Sequence, residues 1–192
     1  MHIFINERDV GAMPTGGATI GEIFEAARVH VDPRNIVTAV ELDGAVHQVG
    51  DDDRYLRRPA DSVGTFVLHT QTPADFAAGK RQDLAAAAAV LAAKVRRVAS
   101  LLREGDERGG NSLLAALMEE LRLALLLEHN IATLDGRPAG EAQDAIRVIA
   151  PMLLEAQQQR AWTTVAEILE ARLVGVLEGW SARLETGAAS AF

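Results

Sequence analysis

The chain has no cysteine, so disulfides, thiolate nucleophiles and cysteine-based zinc sites are excluded, and nothing points to an oxidising compartment. Aromatic residues are only 4% of its 192 residues, which leaves alanine, leucine and valine to build the core of a chain that is 48% apolar. Positive charge is scarce as well. Residues 1–72 carry 11 acidic against 6 basic side chains, and the remainder 16 against 13, which gives −5 and −3 and sums to the net −8. Neither part offers the basic surface that a phosphate backbone needs, so no nucleic-acid partner is expected. No apolar run is long enough for a bilayer: Leu113 to Leu127 is interrupted by Glu119, Glu120 and Arg122. The opening His2-Ile3-Phe4-Ile5 reads as a strand and not as a signal peptide. The expectation is a soluble, cytoplasmic, bacterial-type protein with no membrane partner.

The sequence divides at Thr72-Pro73. Before it, a strand at Ile3–Ile5 meets a polar turn at Asn6–Asp9 and a short return through Val10 to Met13. Thr19-Ile20-Gly21-Glu22 is a capping box, opening a helix with Ile20, Ile23, Phe24 and Ala27 on one face. Ile36, Val40 and Leu42 mark a strand that ends at Asp43-Gly44, a tight-hairpin signal because both turn positions need positive φ. Ala45–Val49 would return, and a last strand lies around 64–70 after a polar stretch.

With Met1-His2-Ile3-Phe4-Ile5-Asn6 opening the chain, Thr19-Ile20-Gly21-Glu22-Ile23 opening the helix and Asp61-Ser62-Val63 before the last strand, this segment resembles the ubiquitin-like family. It is most similar to that family's bacterial sulfur-carrier branch related to ThiS. The resemblance implies a β-grasp fold over residues 1–70. Those carriers end in a free Gly-Gly, whereas here the strand continues as Leu68-His69-Thr70-Gln71-Thr72 and Gly16-Gly17 sits in an internal loop. What the resemblance implies is therefore a recognition surface without sulfur transfer.

After Thr72, with Pro73 at the first helical position and Asp75 beside it, the pattern is helical. Leu84, Ala88, Leu91, Val95, Val98 and Leu102 form a heptad seam, Gly79 is expected to break the opening turns, and the helix should end near Gly105. A second helix is expected over 112–128. A third, over 140–160, should be kinked or split by Pro151, and a fourth should open on a capping box at Thr164 and Glu167. An offset of 52 residues relates Leu101-Leu102 to Leu153-Leu154, Leu117 to Leu169, Leu121 to Leu173 and Leu125 to Leu177, so the hairpins 80–128 and 140–185 read as repeats. The expected fold class is α+β: a β-grasp-like module over 1–72, an up-down four-helix bundle over 73–187, and a disordered tail over 188–192.

No catalytic constellation emerges. The histidines lack metal-ligand spacing on any helix, although His47 and His69 could meet on neighbouring strands with His2 close by. Asp51-Asp52-Asp53 lacks EF-hand spacing, and Gly109-Gly110, read as lying between helices, has no phosphate-loop lysine behind it. The chain is therefore expected to be no enzyme, with no catalytic residues, metal or cofactor.

Leucine is in excess on the second helix. Either that helix is buried on more than one side, or Leu123, Leu126 and Leu127 form an exposed patch for a dimer or a partner helix, with Trp162 as a further contact. The leading expectation is a non-enzymatic protein–protein interaction module, adaptor or chaperone-like, self-associating through its helices. Two alternatives stand beside it: a small-molecule site or enzyme centred on Arg57, Arg58, Asp61 and His69, and a structural subunit of a larger bacterial assembly.

Overall fold

In the computed structural model, which describes residues 1–50, 53–136 and 140–186, the chain divides into two compact units, Met1–Phe76 and Ala77–Phe192. Asp51 and Asp52, most of the Asp135-to-Pro138 loop and the tail expected over 188–192 lie outside the described residues. The class is α+β, a five-stranded mixed sheet followed by helices.

In the first unit, β1 (His2–Ile5), β2 (Arg8–Ala12), β3 (Ile36–Leu42), β4 (Ala45–Gln48) and β5 (Thr65–Gln71) form a sheet of order β2-β1-β5-β3-β4. β1 and β5 are parallel and the other pairs antiparallel, the arrangement that the β-grasp resemblance implies. Helix α1 (Ile20–Arg28) buries Ile20, Ile23 and Ala27 against Ile3, Val40, Leu42, Phe66 and Leu68 of the sheet. Its capping box is formed in both directions: Thr19 N–H donates to Glu22 Oε2 at 2.7 Å, and Glu22 N–H donates to Thr19 Oγ1 at 3.3 Å. The bond from the Thr19 backbone, seconded by the Thr19 hydroxyl, holds the Glu22 carboxyl below its ordinary range.

The Asp43-Gly44 hairpin has φ of 48° and 88°, as a two-residue turn of this chemistry requires. Asp43 also accepts from Gly64 N–H at 3.1 Å and Thr65 N–H at 2.8 Å, fixing the start of β5 beside the turn. At the other end Asn6 donates to Thr70 O at 3.2 Å and accepts from Thr70 N–H at 2.8 Å, satisfying backbone groups of β5 beyond its pairing with β1.

Helix α2 (Pro73–Arg103) starts as its sequence suggests, with Asp75 N–H donating to Thr72 Oγ1 at 3.1 Å. Gly79 does not break it. Every residue of the seam from Leu84 to Leu102 is buried. Helices α3 (Glu107–Asp135), α4 (Glu141–Gln158), α5 (Trp162–Ile168) and α6 (Val174–Thr186) follow, with one π-helical segment at Leu169–Leu173 between the last two.

Polar pairs tie these helices in turn. Lys94 of α2 reaches Glu120 of α3 at 2.6 Å, Gln157 of α4 donates to Asn111 of α3 at 3.3 Å, and Arg183 of α6 pairs with Glu141 of α4 at 3.2 Å. Arg103 of α2 reaches Glu170 at 2.6 Å, and Arg96 of α2 pairs with Glu178 of α6. Each pair joins neighbours running in opposite directions, which supports the up-down arrangement expected of the helices. As exposed ion pairs they contribute little energy; the core of Leu, Ala, Val and Trp180 stabilises the unit.

Several helix expectations are corrected. α4 is continuous through Pro151, whose side chain lies on the exposed face, so the helix is not split. The box at Thr164 is absent because Arg160, at φ 52°, ends α4, and the next helix then starts at Trp162 behind Ala161. α3 begins five residues before the expected 112 and runs seven beyond 128, with Asp106 as its N-cap and Gly136 (φ 64°) closing it. Gly109-Gly110 is thus the first turn of a helix and not a linker. The 52-residue relation keeps Leu117 with Leu169 and Leu121 with Leu173 in the core, but Leu102 is buried where Leu154 is 56% exposed.

Candidate functional site

Helix α3 carries the most unusual surface of the described residues. Asp106 accepts from Gly109 N–H at 2.9 Å, setting the helix start. From there the 3.6-residue period places Leu114, Leu117, Leu121, Ala124 and Ile131 in the core of the helical unit. An ordinary amphipathic helix would be polar on the opposite side. Here Leu123, Leu126, Leu127 and Leu134 stand there, with exposures of 51%, 51%, 37% and 49%.

Leu123, Leu127, Asn130 and Leu134 follow one another in steps of four, three and four, so they form one straight row, and Leu126 flanks it. Of the two readings open from sequence, burial of α3 on more than one side is overturned for these residues. Leu134 was missed because the helix was expected to stop at Glu128; Gly136, in the position of a helix C-cap, is the signal that extends it. Trp162 is elsewhere: it opens α5, half buried and packed against the helical core.

The margins of the row are charged but internally paired. Arg122 donates to Glu119 at 2.7 Å, which lowers the Glu119 carboxyl below its ordinary range, and Glu120 is held by Lys94. On the inward side, Glu128 accepts from the indole N–H of Trp180 at 2.8 Å. Burial pushes the Glu128 carboxyl above its ordinary value, against the pull of Trp180 and Arg183, and Glu141 adds to the rise.

A raised folded-state pKa means that the native state holds this proton more tightly than the unfolded chain does. The stabilisation is complete below the unfolded glutamate value of about 4.3 and is lost as pH rises through the raised value. Glu128→Gln cannot ionise. The melting temperature of the variant relative to the parent should therefore climb as pH goes from about 4 to 7, a difference that scanning calorimetry at several pH values will read; a flat difference contradicts it.

The sequence-derived chemical candidates are dispersed. β3 lies between β4 and β5, so His47 and His69 are not on neighbouring strands. His69 pairs through Nε2 with Glu41 of β3 at 2.8 Å. His47 stacks on Tyr55, ring centroids 4.6 Å apart, with its own Nε2 buried and without a hydrogen-bond partner. His2, His30 and His129 are exposed. Arg57 belongs to the 3₁₀ turn Asp53–Arg57 and Asp61 to the turn Ala60–Ser62, while the Arg58 carbonyl accepts from Ile20 N–H at 2.9 Å. Among the described residues no group of three or more His, Cys, Asp or Glu is placed to hold a metal ion. No described helix is long and apolar enough to cross a membrane.

The orphaned His47 nitrogen has a measurable consequence. Phenylalanine would keep the stack on Tyr55 and remove the buried polar atom, so His47→Phe is expected to stabilise the protein by about 1 kcal/mol in urea denaturation; a loss would show that the ring nitrogen is satisfied.

Two grooves are open to solvent. One, of about 430 Å³, lies between the end of α1 and the start of β3, lined by Phe24, Arg28, Val31, Ile36, Val37 and Val49 among others. The second, of about 340 Å³, separates α2 from α6 around Ala89, Ala92 and Ser181. Neither gathers converging catalytic groups. No family model matches this chain, and no curated protein or solved structure was found to match it.

Proposed function

We propose that the protein is a non-enzymatic protein–protein interaction module, of adaptor or chaperone-like kind, which works by laying the outward face of α3 against a helix of another polypeptide. The observation that carries this is the row of half-exposed leucines on a helix whose other face already supplies the core. Scattered exposed apolar residues are ordinary, but four on one face of one helix form a stripe of the kind that docks another helix. Their combined exposure equals about two whole leucines left in water, roughly 3–6 kcal/mol of burial that a partner recovers.

The test is in-cell crosslinking from a photoreactive residue placed at Leu126. Adducts to another polypeptide chain, absent when the same residue replaces Ala86 on the exposed side of α2, are expected. A position 126 that reacts only with solvent would overturn the reading.

A further inference from the structure

We infer that the occupant of the α3 face is a second copy of this chain, packed with its α3 antiparallel to the first. This rests on reading that face as an interaction surface, and goes further by naming what covers it. The spacing is the first ground. Steps of four, three and four read the same in both directions about a point between Glu128 and His129. A second copy related by a two-fold axis through that point sets Leu123 against Leu134 and Leu127 against Asn130, and the two remaining contacts are generated by symmetry. Alternating steps of four and three are what a helix–helix seam requires, and a self-complementary patch is what a two-fold dimer requires.

Charge is the second ground, and it selects the direction. In a parallel, in-register pair Glu119, Glu120 and Arg122 would each lie beside its own copy, setting like charges against one another. In the antiparallel pair Glu119 lies about 28 Å along the axis from its copy, well beyond the screening length of about 8 Å. The same acidic side chains are held within each copy by Arg122 and Lys94, so the leucine row is not bordered by uncompensated repulsion.

Area is the third ground, and it sets the strength. About two leucines' worth of side chain per copy is less than the ~800 Å² per partner of a standard interface. The dimer is accordingly reversible, and its population depends on concentration.

Because the chain has no cysteine, single thiols report the register directly. Leu123→Cys and Leu134→Cys chains, each purified in full length, are oxidised alone and as an equimolar mixture. The mixed disulfide is expected at least 10-fold in excess over either self-linked product, and Leu126→Glu introduced into both chains should reduce it at least 10-fold. Both substitutions are at exposed positions, and circular dichroism of each variant confirms the helix content before oxidation.

Preferential self-linking of Leu123→Cys would overturn the antiparallel register. A sedimentation mass that stays monomeric from micromolar to millimolar chain would overturn the second copy altogether. If the chain is monomeric and the photoreactive residue at 126 still yields adducts with a different protein, this inference fails and the interaction reading survives. If both are negative, both fail.

Discussion

Trp180→Ala is expected to destabilise the helical unit by about 3–5 kcal/mol, lowering its melting temperature by on the order of 10 °C or more. Trp180 is 1% exposed, the largest fully buried side chain of the molecule, in a core otherwise made mostly of Ala, Leu and Val. Small side chains around a large one cannot collapse to fill the space it leaves, so the cavity remains and its dispersion contacts are lost. A second loss follows on the polar side. The indole N–H is a donor to Glu128, and without it a half-buried carboxyl on α3 loses its partner. Trp180→Phe separates the two, since it keeps most of the volume and removes only the donor. The phenylalanine variant should recover more than half of the alanine loss in urea titrations. Equal losses would mean that the hydrogen bond, and not the packing, dominates.

Gly110→Val should cost about 1–3 kcal/mol, although glycine inside a helix is ordinarily a liability. A Cβ built at Gly110 falls 2.5 Å from Cδ2 and 2.8 Å from Cγ of Leu102. Leu102 is 4% exposed, so it can yield only by pushing into the core between α2 and α3. The two helices approach closely at their shared turn, Gly105 at φ 83° directing the chain back, and a hydrogen is all that fits at position 110. Gly79→Ala is the matched control. Nothing lies within 4 Å of a Cβ there, so the helix gains its usual propensity and stability should rise by roughly 0.5–1 kcal/mol. If both variants gain, the tight approach at Gly110 is not a constraint.

These two residues also mark what could be read before the structure and what could not. Local chemistry was legible: the Thr19–Glu22 box, the Asp43-Gly44 hairpin and the Thr72-Pro73 helix start are each satisfied within a few residues, so their patterns carry their geometry. The order of strands and the buried seam of α2 followed from periodicity. Misreadings arose where distant contacts decide. Gly109-Gly110 resembles a linker, yet it is helical because Asp106 caps it and Leu102 needs the space. Thr164 and Glu167 match a capping box, but a positive φ at Arg160 starts the helix two residues before Thr164 and leaves the match idle. Pro151 did not split α4. The separation of His47 from His69 depended on β3 lying between their strands, which spacing along the chain does not encode. Most of the α3 face was visible as surplus leucine, but Leu134 was lost with the last two turns.

The most direct measurement is hydroxyl-radical footprinting of the full chain at low and high concentration and in cells. Leu123, Leu126, Leu127 and Leu134 are compared with Val148 and Leu154 of α4, which the fold leaves equally open at 64% and 56%. Selective protection of the four α3 leucines in the cell and at high concentration, with Val148 and Leu154 labelled throughout, is the expected result. Labelling of all six to the same extent under every condition would show that nothing covers the α3 face, and would contradict its role in association.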